Sequence, residues 1–176
     1  ILKGIGQIML QDRAWTGLLF LIAIAHDSVL MGVVALVSKI VGTATAKILK
    51  FDDTNIKAGL YGFNATLIGV GLISVFESSL LIWICIILGS ILSTLLMEFS
   101  IRKKLPFFTF PFVIVTVIAV LTIDHLSLAG HNKIEAVEEM FELQDLVVPA
   151  HAYSEVIFKG TMVAGTLFFL GVFVNN

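Results

Sequence analysis

The chain has 176 residues, 58% of them hydrophobic and only 14% charged, with a mean hydropathy of +1.03. Soluble domains carry roughly 25% charged residues, so this composition excludes a soluble globular protein and points to an integral membrane protein. The net charge of −2 matters less than where the charges fall, and no nucleic-acid partner or cofactor is expected.

The apolar residues come in long runs rather than in alternation, so they read as helices and not as barrel strands. The one cysteine, Cys85, excludes an intrachain disulfide. The chain begins at Ile1 rather than at a methionine and reads as a piece of a longer protein, or one lacking its leader. Ile1 to Gln11 is apolar but too short for the ~20 helical residues that cross ~30 Å of hydrocarbon, so it reads as a re-entrant or interfacial segment. Spans are expected at Ala14 to Ala25, Val29 to Leu49, Ala58 to Phe76, Ser79 to Met97 and Phe107 to Ile123, with Lys50 to Lys57 a polar loop.

Asp124 to Glu155 is polar and rich in carboxylates, an extramembrane linker with room for an amphipathic helix over Ile134 to Leu146. Val156 to Val174 is apolar again. The organisation expected is a five-helix repeat at 1–126, an acidic extracellular linker at 127–155 and the start of a second unit at 156–176. Arg102-Lys103-Lys104 and the group Lys47, Lys50, Lys57 fall on one side if the helices alternate, which makes that side cytoplasmic.

Five spans before the linker mean that a repeated unit after it enters inverted. Ile1-Leu2-Lys3-Gly4 matches Ile157-Phe158-Lys159-Gly160, and Thr16-Gly17-Leu18-Leu19-Phe20 resembles Ala164-Gly165-Thr166-Leu167-Phe168. Asp27-Ser28 falls opposite Asn175-Asn176. The second copy is about eight residues short, at the place of Ile5 through Asp12. Inverted repeats with interrupted helices are a common plan of transport proteins.

The most informative stretch is Leu105-Pro106-Phe107-Phe108-Thr109-Phe110-Pro111-Phe112. Two prolines five residues apart cannot both lie in a regular helix. Such a break beside a membrane-length run is tolerated only where it is buried in protein or lines a cavity. One hydroxyl, Thr109, stands among four phenylalanines, which describes either a narrow aromatic passage with one polar handle or a proline-broken helix start packed against its neighbours.

Three stretches in order resemble the urea transporter family: Gly4-Ile5-Gly6-Gln7-Ile8-Met9, Gly59-Leu60-Tyr61-Gly62-Phe63-Asn64-Ala65-Thr66-Leu67, and the proline stretch above. The last is similar to that family's signature, leucine-proline-any-any-threonine-any-proline-phenylalanine. The resemblance spans about Ile1 to Ile123. It implies an all-α integral membrane protein of the cell membrane, with five spanning helices and a re-entrant half-helix in each inverted repeat. It further implies a homotrimer in lipid, with one passive urea pore per subunit and no enzymatic activity. By that resemblance Gln7 sits at a pore mouth, Phe63 forms one wall of a phenylalanine slot with Leu67 a turn deeper, and Thr109 offers its hydroxyl near the centre. Leu10, Asn64 and Phe112 support the pore; Asn64 fixes local backbone, and Leu10 stands where the family often has phenylalanine.

The chemistry suits a small, planar, neutral solute. Dehydrating urea is unfavourable unless its hydrogen bonds are replaced, and carbonyls at a broken helix end together with the Thr109 hydroxyl can replace them weakly. The other reading is a channel or proton-coupled carrier for another small neutral solute, such as ammonia or a short amide. Asp124-His125 is the candidate relay for such a carrier; an ammonia channel would be expected to line its pore with histidine, and no histidine falls mid-span. An intramembrane hydrolase would need a dry nucleophile and base. Ser90 and Ser93 lie in a span, but His26, His125, His131 and His151 do not, and the histidine spacing is poor for a metal. Lys39, inside the second span, is expected to snorkel or to face a subunit interface, and Glu77 and Glu98 to be solvated at helix ends.

Overall fold

The computed structural model describes residues 2–9, 11, 13–106, 108–132 and 162–173. Leu10, Phe107, the stretch expected to be an amphipathic helix (134–146), and the repeat positions 157–160 and 175–176 lie outside the described residues. Among the described residues every regular element is helical, and Phe76 and His131 form an isolated antiparallel bridge.

Helix α1 (Leu2–Gly6) runs into a single 3-10 turn at Gln7–Met9. The Gln11 N–H then donates back to the Gly6 carbonyl at 3.0 Å, and the segment lies on α2 (Ala14–Asp27). They touch at Gly17, where a Cβ would overlap the Leu2 carbonyl oxygen. Ser28 alone separates α2 from α3 (Val29–Ile48); its hydroxyl accepts the Met31 N–H at 3.3 Å and caps the new helix.

The polar stretch after α3 contains a short helix, α4 (Asp53–Ala58). Asp52 caps it by accepting the Asn55 N–H at 3.0 Å. Gly59 ends it at φ 86°, a left-handed conformation that only glycine adopts without strain. Gly59 to Gly62 form a turn, so α5 (Phe63–Val75) starts later than the apolar run at Ala58 suggests.

Every residue of α5 from Phe63 to Ile73 is buried, with α3, α6 and α7 around it. This explains why it shows no polar face: a helix surrounded on all sides is apolar all round. Thirteen residues make about 20 Å, short of a ~30 Å hydrocarbon layer. Helix α6 (Leu80–Arg102) runs past Met97, because Glu98 and Arg102, one turn apart, form an ion pair at 2.6 Å that continues it. Helix α7 (Phe110–His125) has Pro111 in its first turn, where a missing N–H leaves no helical bond unmade. The last described helix is α8 (Met162–Phe173), packed on α2. Of these helices α3 and α6 are long and apolar enough to cross a membrane; α2, α5 and α7 are shorter and apolar.

Small residues set the helix contacts. A Cβ at Gly42 would lie 2.7 Å from the Tyr61 carbonyl oxygen, and one at Gly69 would overlap the Ser38 hydroxyl. The buried hydroxyls of Ser38 and Ser90 each donate to the carbonyl one turn back, at 2.7 Å. Ser93 donates to Ser90 at 3.0 Å, so both candidate nucleophiles of the hydrolase reading are engaged by backbone.

Two ends of the bundle are defined by polar contacts. At one, Phe51 packs on Tyr61 with ring centroids 5.4 Å apart, and the Tyr61 hydroxyl donates to Glu98 at 2.5 Å. Glu98 is 9% exposed, not solvated as its place at the edge of the apolar run suggests, because Tyr61 and Arg102 hold one carboxylate oxygen each. At the other end Asn132 Nδ2 donates to the Ile73 and Phe76 carbonyls at 2.9 Å, and His131 meets Asp124 at 2.9 Å. Asp124, the candidate relay partner of His125, is engaged there by His131.

Candidate functional site

The glycine turn before α5 and the proline break before α7 come together at one side chain. Asn64, in the first turn of α5, is 1% exposed. Its Nδ2 donates to the Phe108 carbonyl at 3.1 Å, and its Oδ1 accepts the Phe112 N–H at 3.2 Å. Nδ2 also lies 3.7 Å from the Met97 sulfur. One amide therefore grips the proline stretch on both sides of Thr109. The reason is local: a proline-broken helix start leaves backbone groups without helical partners, and a buried amide carries both a donor and an acceptor.

On either side of this clamp the candidate residues separate into two groups. Phe63 and Leu67 are buried at 2% and 5% exposure, one helical turn apart in α5. Phe112 is half-buried at the start of α7 and packs on the core. Thr109 faces outward instead, just before α7, and its side chain makes no capping bond to that helix. It is the polar side chain in an open cavity of ≈ 270 Å³ lined by Pro106, Phe108, Phe110 and Val113. Neither Phe63 nor Gln7 lines that cavity. Leu10 lies outside the described residues.

Gln7 belongs to a second junction. Its Nε2 donates to the Ala58 carbonyl at 3.1 Å, at the C-terminal end of α4. The next carbonyl, that of Gly59, accepts from the Lys39 ammonium at 3.4 Å. Lys39 neither snorkels nor lies on an outer face: it is 1% exposed, and its chain reaches inward from α3. A Cβ on Gly4 or on Gly62 would overlap its Nζ, so those two glycines clear the room it occupies. The sequence held the signal, because a lysine inside an apolar run alongside three unexplained glycines needs a cleft; what was missing was that Gly4, Gly59 and Gly62 share it. The same turn is also tied to α6, through the Tyr61 hydroxyl on Glu98.

The arrangement offers an aromatic and aliphatic wall, one free-standing hydroxyl and backbone carbonyls at broken helix ends. That set can exchange weak hydrogen bonds with a small neutral solute. Among the described residues no three His, Cys, Asp or Glu side chains come together to hold a metal.

Comparison with known proteins points to one family. Urea transporter 1 of Mus musculus is 32% identical over 124 residues, a stretch covering 64% of this chain and 31% of the mouse protein. Urea transporter 1 of Rattus norvegicus gives the same identity and coverage, and that of Ovis aries 29% over 123 residues. The chain thus spans about a third of the length of the curated relatives it matches. The family model described as "Urea transporter" matches residues 1–176. With that match extending over the whole chain, and with the glycine and proline stretches joined at Asn64, the chain belongs to the urea transporter family, whose members are embedded in membranes.

Proposed function

We propose that this chain supplies one half, and the opening of the other, of a passive channel that conducts urea through a narrow aromatic pore. The observation that carries the reading is the Asn64 clamp, which fixes the threonine of the proline stretch relative to Phe63 and Leu67. The relatives are named urea transporters, which supplies the solute.

In this reading Gln7, Phe63, Leu67 and Thr109 contact urea, and Leu10, Asn64 and Phe112 support them. Buried rings accept a planar solute by shape, and the Thr109 hydroxyl replaces part of its lost water. The open cavity beside Thr109 is where the path meets the proline stretch, and the second repeat closes it. Residues 1–126 form a five-helix repeat with a re-entrant half-helix, 127–155 an external linker, and 156–176 the start of an inverted repeat. The contact of α8 with α2 supports the inversion. Thr16, in the first turn of α2, donates to the carbonyl of Gly171, in the last turn of α8, at 2.9 Å, as in an antiparallel pair. The assembly is a homotrimer, spanning the cell membrane several times, with the Arg102 to Lys104 end cytoplasmic.

The test is urea flux into proteoliposomes holding the native full-length protein, followed by stopped-flow light scattering. Fast flux, insensitive to a proton gradient, is expected. Thr109→Val removes one hydrogen bond of about 1 kcal/mol and lowers flux about fivefold; Phe63→Ala removes a wall and lowers it too. Flux no faster than in empty liposomes rules out urea. Dependence on a proton gradient rules out the passive mechanism in favour of a coupled carrier.

A further inference from the structure

Lys39 is a charged group in the interior that the urea path as described does not use. We infer that Lys39 is a specificity-determining residue, a fixed positive charge behind Gln7 and Phe63 that keeps cations of urea's shape out of the path. The inference rests on the urea-channel reading above.

Three observations place it there. The ammonium touches both elements that carry the first-half candidates: Gly4, one turn before Gln7, and Gly62, directly before Phe63. It is 1% exposed, and its hydrogen bond goes to a neutral carbonyl, that of Gly59. Among the described residues no carboxylate stands in ion-pair range of it; the buried acid Glu98 is taken by Tyr61 and Arg102. Burial by itself disfavours a charge; in the ammonium form, held by the Gly59 carbonyl, the lysine has no counter-ion beside it, and in a low-dielectric interior its field reaches far. The carbonyl end of α4 favours the charged form, since cations are stabilised at a helix C-terminus.

Shape and hydrogen bonding alone leave a gap that such a charge fills. Guanidinium is planar, Y-shaped and close to urea in size, and it carries amide-like donors. A slot of phenylalanine faces with a hydroxyl would take it; indeed, aromatic faces attract cations. The difference that remains is one unit of charge. Two like charges about 10 Å apart in a protein-like dielectric repel enough to change a permeability about tenfold.

The experiment measures guanidinium and urea permeability in proteoliposomes of the native full-length protein and of its Lys39→Met and Lys39→Arg variants. Methionine keeps much of the length and removes the charge; arginine keeps the charge. The expected result is a guanidinium-to-urea ratio at least tenfold higher in Lys39→Met and unchanged in Lys39→Arg. A ratio in Lys39→Met that stays at the unmodified value, or loss of its urea flux, overturns the inference and makes the lysine a structural prop. Guanidinium passing the unmodified protein at a rate near that of urea also overturns the inference. Absence of urea flux in the unmodified protein is a separate outcome and defeats the channel reading itself.

Discussion

Asn64 shows how much one polar side chain can determine when it is buried between two irregular segments. Its amide answers the Phe108 carbonyl and the Phe112 N–H, which the prolines have left outside regular helix bonding. Replacing it by alanine removes both of these bonds from a buried site. Each buried unsatisfied group costs about 1–3 kcal/mol, so Asn64→Ala is expected to lower thermal stability in detergent by at least ~2 kcal/mol and to reduce urea flux more than Thr109→Val does. Asn64→Asp keeps the acceptor for Phe112 but loses the donor to Phe108, and should fall between the two. Equal stability of all three proteins would show that the clamp does not hold the proline stretch.

The elements were legible in the sequence to different degrees, and the differences have physical causes. The long apolar runs of α3 and α6 state their length directly, because a helix in a membrane needs an unbroken run. The start of α5 was obscured, because Gly59 to Gly62 are as compatible with a helix in lipid as with a turn until the φ of 86° at Gly59 is known. The helix inside Lys50 to Lys57 was hidden by its polarity, although Asp52 is a good cap. At the site, Asn64 and the proline stretch could be singled out from residue types, but the outward placement of Thr109 could not, since it depends on contacts 44 and 48 residues apart in sequence. Gly59 itself gives an element-scale prediction. A Cβ there would come 2.6 Å from Gly4 Cα, and its backbone conformation disfavours any other residue. Gly59→Ala should therefore pull α1 from α4, costing about 1–2 kcal/mol in strain alone. Urea flux and thermal stability should fall together, whereas Leu60→Ala, at the neighbouring half-buried position, should do much less.

At the scale of the whole molecule, the pairing of α2 with α8 is what ties the far end of the chain to its beginning. Gly171 is the contact point: Phe20, fully buried, lies against it, and Thr16 donates to its carbonyl. A Cβ at Gly171 would stand 2.8 Å from the Phe20 ring, and that ring has no free space to move into. Gly171→Leu should therefore separate the helices, with the 1–3 kcal/mol typical of overpacking a close contact. Thr16→Val, which keeps the shape and removes the hydrogen bond, should cost about 1 kcal/mol. If the two act through one interface, the double variant should cost less than the sum of the single ones, because the bond is already lost once the helices part. Thermal unfolding of the four proteins in detergent measures this. Strict additivity would mean that Thr16 and Gly171 act separately, and would remove the structural support for reading α8 as the inverted counterpart of α2.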